Sequence, residues 1–152
     1  MQSMIRWIAS SNRENWEFVR TKHIWGVPKR NRNIMQRVTL DDTILFFVRQ
    51  EKWDGEILPS AITGAYTVVS EPYEDPSRIF VTPQHMGDEA FPYRVKVKPV
   101  VIFAEPLEFK PLIPDLAFIK NKTMWTGHLR HAMREIPEED YHLILKRAKL
   151  GA

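Results

Sequence analysis

Between Met4 and Ala9, Ile5, Trp7 and Ala9 alternate with Met4, Arg6 and Ile8, and both sets are mostly apolar. A period of two with two apolar faces predicts a central strand. The pattern then lengthens: Trp16, Val19 and Arg20 stand one turn apart, Ser11 or Asn12 supplies a cap, and Glu14 and Glu17 sit near the positive end, which predicts an amphipathic helix running to about Lys22. Ile24 to Pro28 is a short apolar segment that Gly26 and Pro28 bring to an end. Asp41-Asp42 turns into the β-branched and aromatic run Thr43 to Arg49, and Trp53-Asp54-Gly55 turns back toward Ile62 to Ser70, predicting a meander or long hairpin. Arg78 to Thr82 and Tyr93 to Phe103 follow. In the second of these, Val95, Val97 and Val101 interleave with Arg94, Lys96 and Lys98, so one basic face is expected, with Pro99 marking an edge or a bulge.

Three helices are predicted in the last third of the chain, over Leu112 to Ile119, Met124 to Met133 and Pro137 to Lys149. In the last, Pro137 occupies a favoured first-turn position ahead of Glu138, Glu139 and Asp140, and Tyr141, Ile144, Leu145 and Ala148 form the buried stripe. The eleven prolines punctuate short elements instead of gathering in a linker, and no repeat appears, so residues 1–152 are expected to form one domain.

Composition narrows the chemistry. With 43% hydrophobic and 27% charged residues the chain is ordinary globular material. Cysteine is absent, which excludes disulfides, thiolate nucleophiles and cysteine-based metal centres. Met1 to Ser10 carries one charge and no long apolar run, so neither a signal peptide nor a membrane span is expected, and a cytoplasmic location follows. The net charge of +3 is modest, but its distribution is uneven: no acid occurs from Lys22 through Leu40, a stretch holding Lys29, Arg30, Arg32 and Arg37. Such a segment suits a phosphate backbone as well as it suits a solvated loop.

Trp25, Trp53, Phe80 and Phe91 fall in or beside predicted loops, where a bulky ring either closes the core or stacks on a ligand. Trp25 is followed by Gly26, which leaves backbone groups approachable. The upstream stretch from Ser10 to Asn15 supplies short donor and acceptor side chains. His128 and His131 are spaced for a shared metal on a helix, but no third ligand is near in sequence, and no metal or cofactor is expected.

Taken together, SSNRENW (10–16), IWGVP (24–28), DTILFFVR (42–49), GAYTVVSEPY (64–73), FPYRVKV (91–97) and IPEEDY (136–141), in this order and spacing, resemble the EVE domain, a PUA-like module distantly related to YTH domains. The resemblance implies an α+β fold, a curved mixed β-barrel of about six strands flanked by helices, with a pocket between barrel and first helix for one extruded base. It implies that Trp25 is an aromatic wall, that Asn15, Ser10 and Ser11 contact the base edge, and that Phe80 and Phe91 supply the opposite walls. Gly26 stands where YTH domains commonly carry a small hydroxyl residue. The implied function is non-enzymatic recognition of a modified, for example methylated, base in RNA or DNA. Lys29, Arg30 and Arg32, or Arg94 and Lys96, would then meet the flanking phosphates. Two alternatives remain open: a sensor of a free nucleoside or small molecule in the same pocket, and an enzyme acting on nucleotides through His128 or His131.

Overall fold

The computed structural model describes residues 4–80 and 90–150. In chain order the elements are β1 (Arg6–Ser11), α1 (Arg13–Lys22), β2 (Ile24–Val27), a 3-10 turn (Lys29–Asn31) leading into α2 (Arg32–Gln36), β3 (Thr43–Val48), β4 (Glu51–Trp53), β5 (Glu56–Leu58), β6 (Ala61–Val68), β7 (Tyr73–Glu74), β8 (Tyr93–Glu108), 3-10 helices over Lys110–Asp115 and Trp125–Leu129, β9 (Met133–Ile136) and α3 (Glu138–Leu150). Six strands in the order β2-β8-β6-β3-β1-β9 make one curled mixed sheet, a half-barrel, with the short β7 beside β8. β4 and β5 form a separate two-stranded ribbon.

β1 pairs with β3 in parallel, Ser10 opposite Phe47 and Ser11 opposite Val48. Parallel neighbours need a long crossover, and here it carries α1, β2 and α2. On its other side β1 meets β9 antiparallel, Ala9 opposite Met133, and the Ser10 N–H donates to the Ala132 carbonyl at 2.8 Å. The end of β1 therefore has the end of β3 on one side and residues 130–132 on the other.

Alternation along the central strands sorts side chains into two cores. Trp7, Ala9, Ile44 and Phe46 join Trp16 and Val19 of α1 on one face of the sheet, with Trp25, Tyr66 and Phe80. Ile8, Leu45 and Phe47 join Phe109, Leu116, Ile119 and Tyr141 and Ile144 of α3 on the other. A strand covered on both faces has no polar side to display, which explains the apolar run Ile44–Val48 after Thr43.

Several expectations are corrected. Residues 124–133 do not form an α-helix: Trp125–Leu129 is one short 3-10 element, and the chain then spends its backbone groups on β1 as β9. Residues 112–119 are likewise no α-helix. Pro114 lies inside the 3-10 helix Lys110–Asp115, and beyond it the Ala117 and Phe118 N–H groups donate to the Asp140 carboxylate at 2.9 and 2.8 Å. Ile24–Val27 is a strand paired with β8. Arg78 and Ile79 take no strand conformation, and Val81 and Thr82 lie outside the described residues. The bulge expected at Pro99 is present as a register shift, Ala65 facing Val101 while Tyr66 faces Pro99. The expected basic face of β8 breaks at its first member, because Arg94 is 1% exposed.

Candidate functional site

The end of β1, the start of α1 and β2 enclose a cleft of about 550 Å³, its mouth included. Ser10, Ser11, Asn12 and Asn15 form one wall, and Trp25, Gly26 and Phe91 form another. Arg49, just past β3, and Arg130, His131 and Ala132, just before β9, close the remaining sides, with Pro28 and Arg30 at the rim.

Local chemistry fixes each wall. Asn12 caps α1: its Oδ1 accepts from the Asn15 N–H at 2.7 Å, while the Ser11 hydroxyl donates to the Asn12 carbonyl at 2.8 Å. At the other end of α1, His23 takes a left-handed conformation (φ 60°) and its N–H bonds the Val19 carbonyl, turning the chain sharply into β2. Trp25 is 4% exposed and meets Phe46 edge-on at 5.4 Å and Phe80 at 6.4 Å. It is thus part of the core and part of the cleft wall at once. Two lining residues carry buried polar atoms with no hydrogen-bond partner among the described residues: Ser10 at Oγ and Trp25 at Nε1. Leaving such atoms dry and unpaired costs about 1–3 kcal/mol each, and a ligand's complementary edge would remove that cost.

Beside β2, Phe91 has φ 51°, an uncommon backbone for a bulky residue. Arg94 holds it there. Its Nε donates to the Phe91 carbonyl at 3.0 Å, its other nitrogens reach the Ser77 hydroxyl at 2.9 Å, the Ser77 carbonyl and the Ala90 carbonyl at 3.2 Å, and Asp75 lies 3.4 Å away. Burial lowers the pKa of this guanidinium, with Asp75 opposing, and it remains cationic. Gly26 completes the packing, for a Cβ at that position would lie 2.8 Å from both Phe80 Cε2 and the Phe91 carbonyl oxygen. The glycine's first effect is to let the Phe80 and Phe91 segments close on β2.

The cleft is electropositive. Arg30, Arg49 and Arg130 form no salt bridge among the described residues, and no carboxylate is among the lining residues. Burial lowers the pKa of Arg49, with Glu51 opposing.

The structure thus gathers Ser10, Ser11, Asn15, Trp25, Gly26, Phe91 and Arg30 around one space. Phe80 does not line it: the ring packs edge-on behind, against Phe18 at 5.1 Å and Phe91 at 6.0 Å. Lys29, Arg32 and Lys96 are exposed away from its walls, and Arg94 braces the loop from below. Of the other lining residues, Asn12 belongs to the polar stretch 10–15 that the sequence singles out, whereas Arg49, Arg130 and Ala132 are passed over. Asn12 is legible as a cap, but the others reach the cleft only through strand register. His131 lines the cleft, whereas His128 Nε2 accepts from the Asn121 N–H at 3.0 Å and serves a turn. Among the described residues no three His, Asp or Glu side chains gather to hold a metal, and no helix is long and apolar enough to cross a membrane.

Comparison with known proteins agrees with this architecture. A UPF0310 protein of Pyrococcus abyssi is 51% identical over 142 residues, covering 93% of this chain and 97% of its own. Human THYN1, solved in complex with 5-methylcytosine containing DNA, superposes with a TM-score of 0.62 at 16% identity, over 95% of this chain and 98% of its own. The YTH domain of the Zygosaccharomyces rouxii MRB1 protein, solved with N6-methyladenosine RNA, gives 0.63 at 15% identity, over 97% and 88%. At such identities the likeness is one of fold. The EVE domain model matches residues 6–147, which take in the half-barrel, α1 and most of α3, and the chain belongs to the EVE domain family.

Proposed function

We propose that this protein is a nucleic-acid-binding module that takes one extruded, modified base into the cleft between α1, β2 and the loop before β9, without turning it over. The observation that carries this reading is the pair of buried, unpartnered polar atoms, Ser10 Oγ and Trp25 Nε1, on residues lining an arginine-rimmed cleft free of carboxylates. Trp25 Nε1 is a donor only, and a hydroxyl donates or accepts, so the two suit the mixed edge of a base. Arg30, Arg49 and Arg130 suit the phosphates on either side of it. Extrusion costs a few kcal/mol, which stacking against half-buried Phe91 and edge hydrogen bonds offset. The two neighbours solved with methylated bases favour a modified base over an ordinary one. A methyl-sized increment buried in an apolar corner adds about 0.8 kcal/mol, a preference of about fourfold before any gain from packing. His131 has no carboxylate beside it in the cleft to make a general-base pair, which favours binding over catalysis.

The test is titration of short RNA and DNA oligonucleotides carrying 5-methylcytosine or N6-methyladenine, beside unmodified ones, against the wild type, Ser10→Ala and Trp25→Phe. Both substitutions are milder than truncating a core tryptophan. Each should weaken the preferred oligonucleotide about two- to tenfold, while the melting temperature of the free protein does not fall in Ser10→Ala, which removes an unpaired buried hydroxyl. Unaltered affinity in both variants, or saturable binding of none of the oligonucleotides, refutes the reading; steep loss of affinity with salt separates it from capture of a free neutral nucleoside.

A further inference from the structure

Arg49 has a second cleft on its other side. This one encloses about 840 Å³ with its mouth, and Phe47, Trp125 and Leu129 give it an apolar lining. Lys110 and Gln50 add polar groups, and no carboxylate lines it among the described residues. Its wall also contains Ser60, 2% exposed, whose buried hydroxyl has no hydrogen-bond partner among the described residues. Half-buried Trp125 is held from two directions, edge-on to Phe47 at 6.4 Å and tilted against Phe109 at 5.3 Å, and it lines the cleft.

The two clefts are neighbours. Arg49 lines both, and so does one stretch of chain: Trp125, Thr126 and Leu129 face the second cleft, while Arg130, His131 and Ala132 face the first. Lifting one base out of a strand exposes the faces of its neighbours, and an aromatic side chain held beside the exit replaces a lost stacking partner. We propose that the second cleft is a subsite for the nucleotide adjacent to the extruded base on the same strand, its base against Trp125 and the intervening phosphate between Arg49 and Lys110. Two cations and no acid select a phosphate-bearing ligand over an apolar peptide, and Ser60 and Gln50 offer hydrogen bonds to the base edge.

The inference rests on base capture in the first cleft, and its test reads the two clefts separately. The protein is labelled with 5-fluorotryptophan, its five tryptophan signals are assigned by Trp→Phe variants, and it is titrated with 5-methylcytidine monophosphate and then with a single-stranded trinucleotide carrying 5-methylcytosine at its centre. The Trp25 signal should move with both ligands and the Trp125 signal with the trinucleotide alone. Lys110→Ala should lower the slope of log affinity against log salt for the trinucleotide by about 0.7. A Trp125 signal that stays in place while Trp25 moves, or an unchanged slope, overturns the subsite and leaves base capture standing. If neither signal moves with these ligands or with the matching pair carrying N6-methyladenine, base capture fails and the subsite with it.

Discussion

Replacing Gly26 by alanine tests whether packing behind the cleft sets its shape. The added methyl would lie 2.8 Å from Phe80 Cε2, 2.8 Å from the Phe91 carbonyl oxygen and 3.1 Å from Arg94 Cγ. None of the three yields easily. Phe80 is 7% exposed and wedged among Phe18, Trp25 and Phe91, the Phe91 carbonyl is backbone, and the Arg94 side chain is tied at both ends of the loop it braces. Overpacking of this kind costs about 1–3 kcal/mol, against about 0.5–1 kcal/mol gained by replacing a strand glycine. The net loss, centred on about 1 kcal/mol and reaching about 2.5 kcal/mol, lowers the melting temperature by about 2–4 °C per kcal/mol for a chain of this size. Phe91 must also shift, so oligonucleotide affinity should fall with stability. Gly127→Ala is the control, since nothing lies within 4 Å of its added Cβ, and it should change stability by less than about 0.5 kcal/mol. Differential scanning calorimetry and a binding titration on the same samples suffice. A Gly26→Ala protein that melts at or above the wild type and binds undiminished would show that the loop adapts and that the glycine does not set the wall.

Three further outcomes follow from named contacts. Asp42 is fully buried and accepts from the Ile5 N–H, the Trp7 indole N–H, the Thr39 N–H and the Thr39 hydroxyl, so Asp42→Ala strands several donors and should cost about 3 kcal/mol or more in denaturant unfolding. Hydrogen bonds from Ser77, backbone first, hold the Asp75 carboxyl below its usual range. Because the folded state favours the charged form, this stabilisation is complete above the unfolded pKa and is lost as pH falls through the folded one. Stability measured from about pH 5 down to about pH 2 should therefore drop less in Asp75→Asn than in the wild type. Arg94→Met should weaken oligonucleotide binding by loosening Phe91 while leaving the salt slope unchanged, whereas Arg130→Ala should lower that slope, a contrast read by titrating each variant at several salt concentrations.

What the sequence discloses depends on whether a residue's role is local. The Thr43–Val48 run is apolar at nearly every position because both sheet faces are covered, and α1 announces itself through Asn12, so strand and helix are legible. Ser10, Asn15 and Trp25 sit within sixteen residues of one another, and motif resemblance places them together. Arg49, Arg130 and Ala132 arrive by register, through Ser11 opposite Val48 and Ala9 opposite Met133, and no local pattern encodes a pairing across that distance. Arg94 illustrates the converse error. Alternation with Lys96 and Lys98 reads as an exposed basic face, yet Ser77, Ala90 and Phe91 close over the first of the three and turn a surface cation into an internal brace. Phe80 does neighbour Trp25, but one layer behind the wall that the resemblance implies, since edge-on packing and stacking on a ligand look alike in sequence.

The walls of the cleft come from residues 10 through 132 and meet only because β1 runs between β3 and β9. No contiguous fragment shorter than that span contains them all, and a chain with the sheet undone has no cleft. Occupancy and global folding are therefore a single linked equilibrium: a ligand at one hundred times its dissociation constant adds about 2.7 kcal/mol to the stability of the whole molecule. Melting temperature thus becomes a detector, and a panel of nucleosides, nucleotides and oligonucleotides can be ranked by heating the protein with each, with no label attached and the choice of base left to the protein.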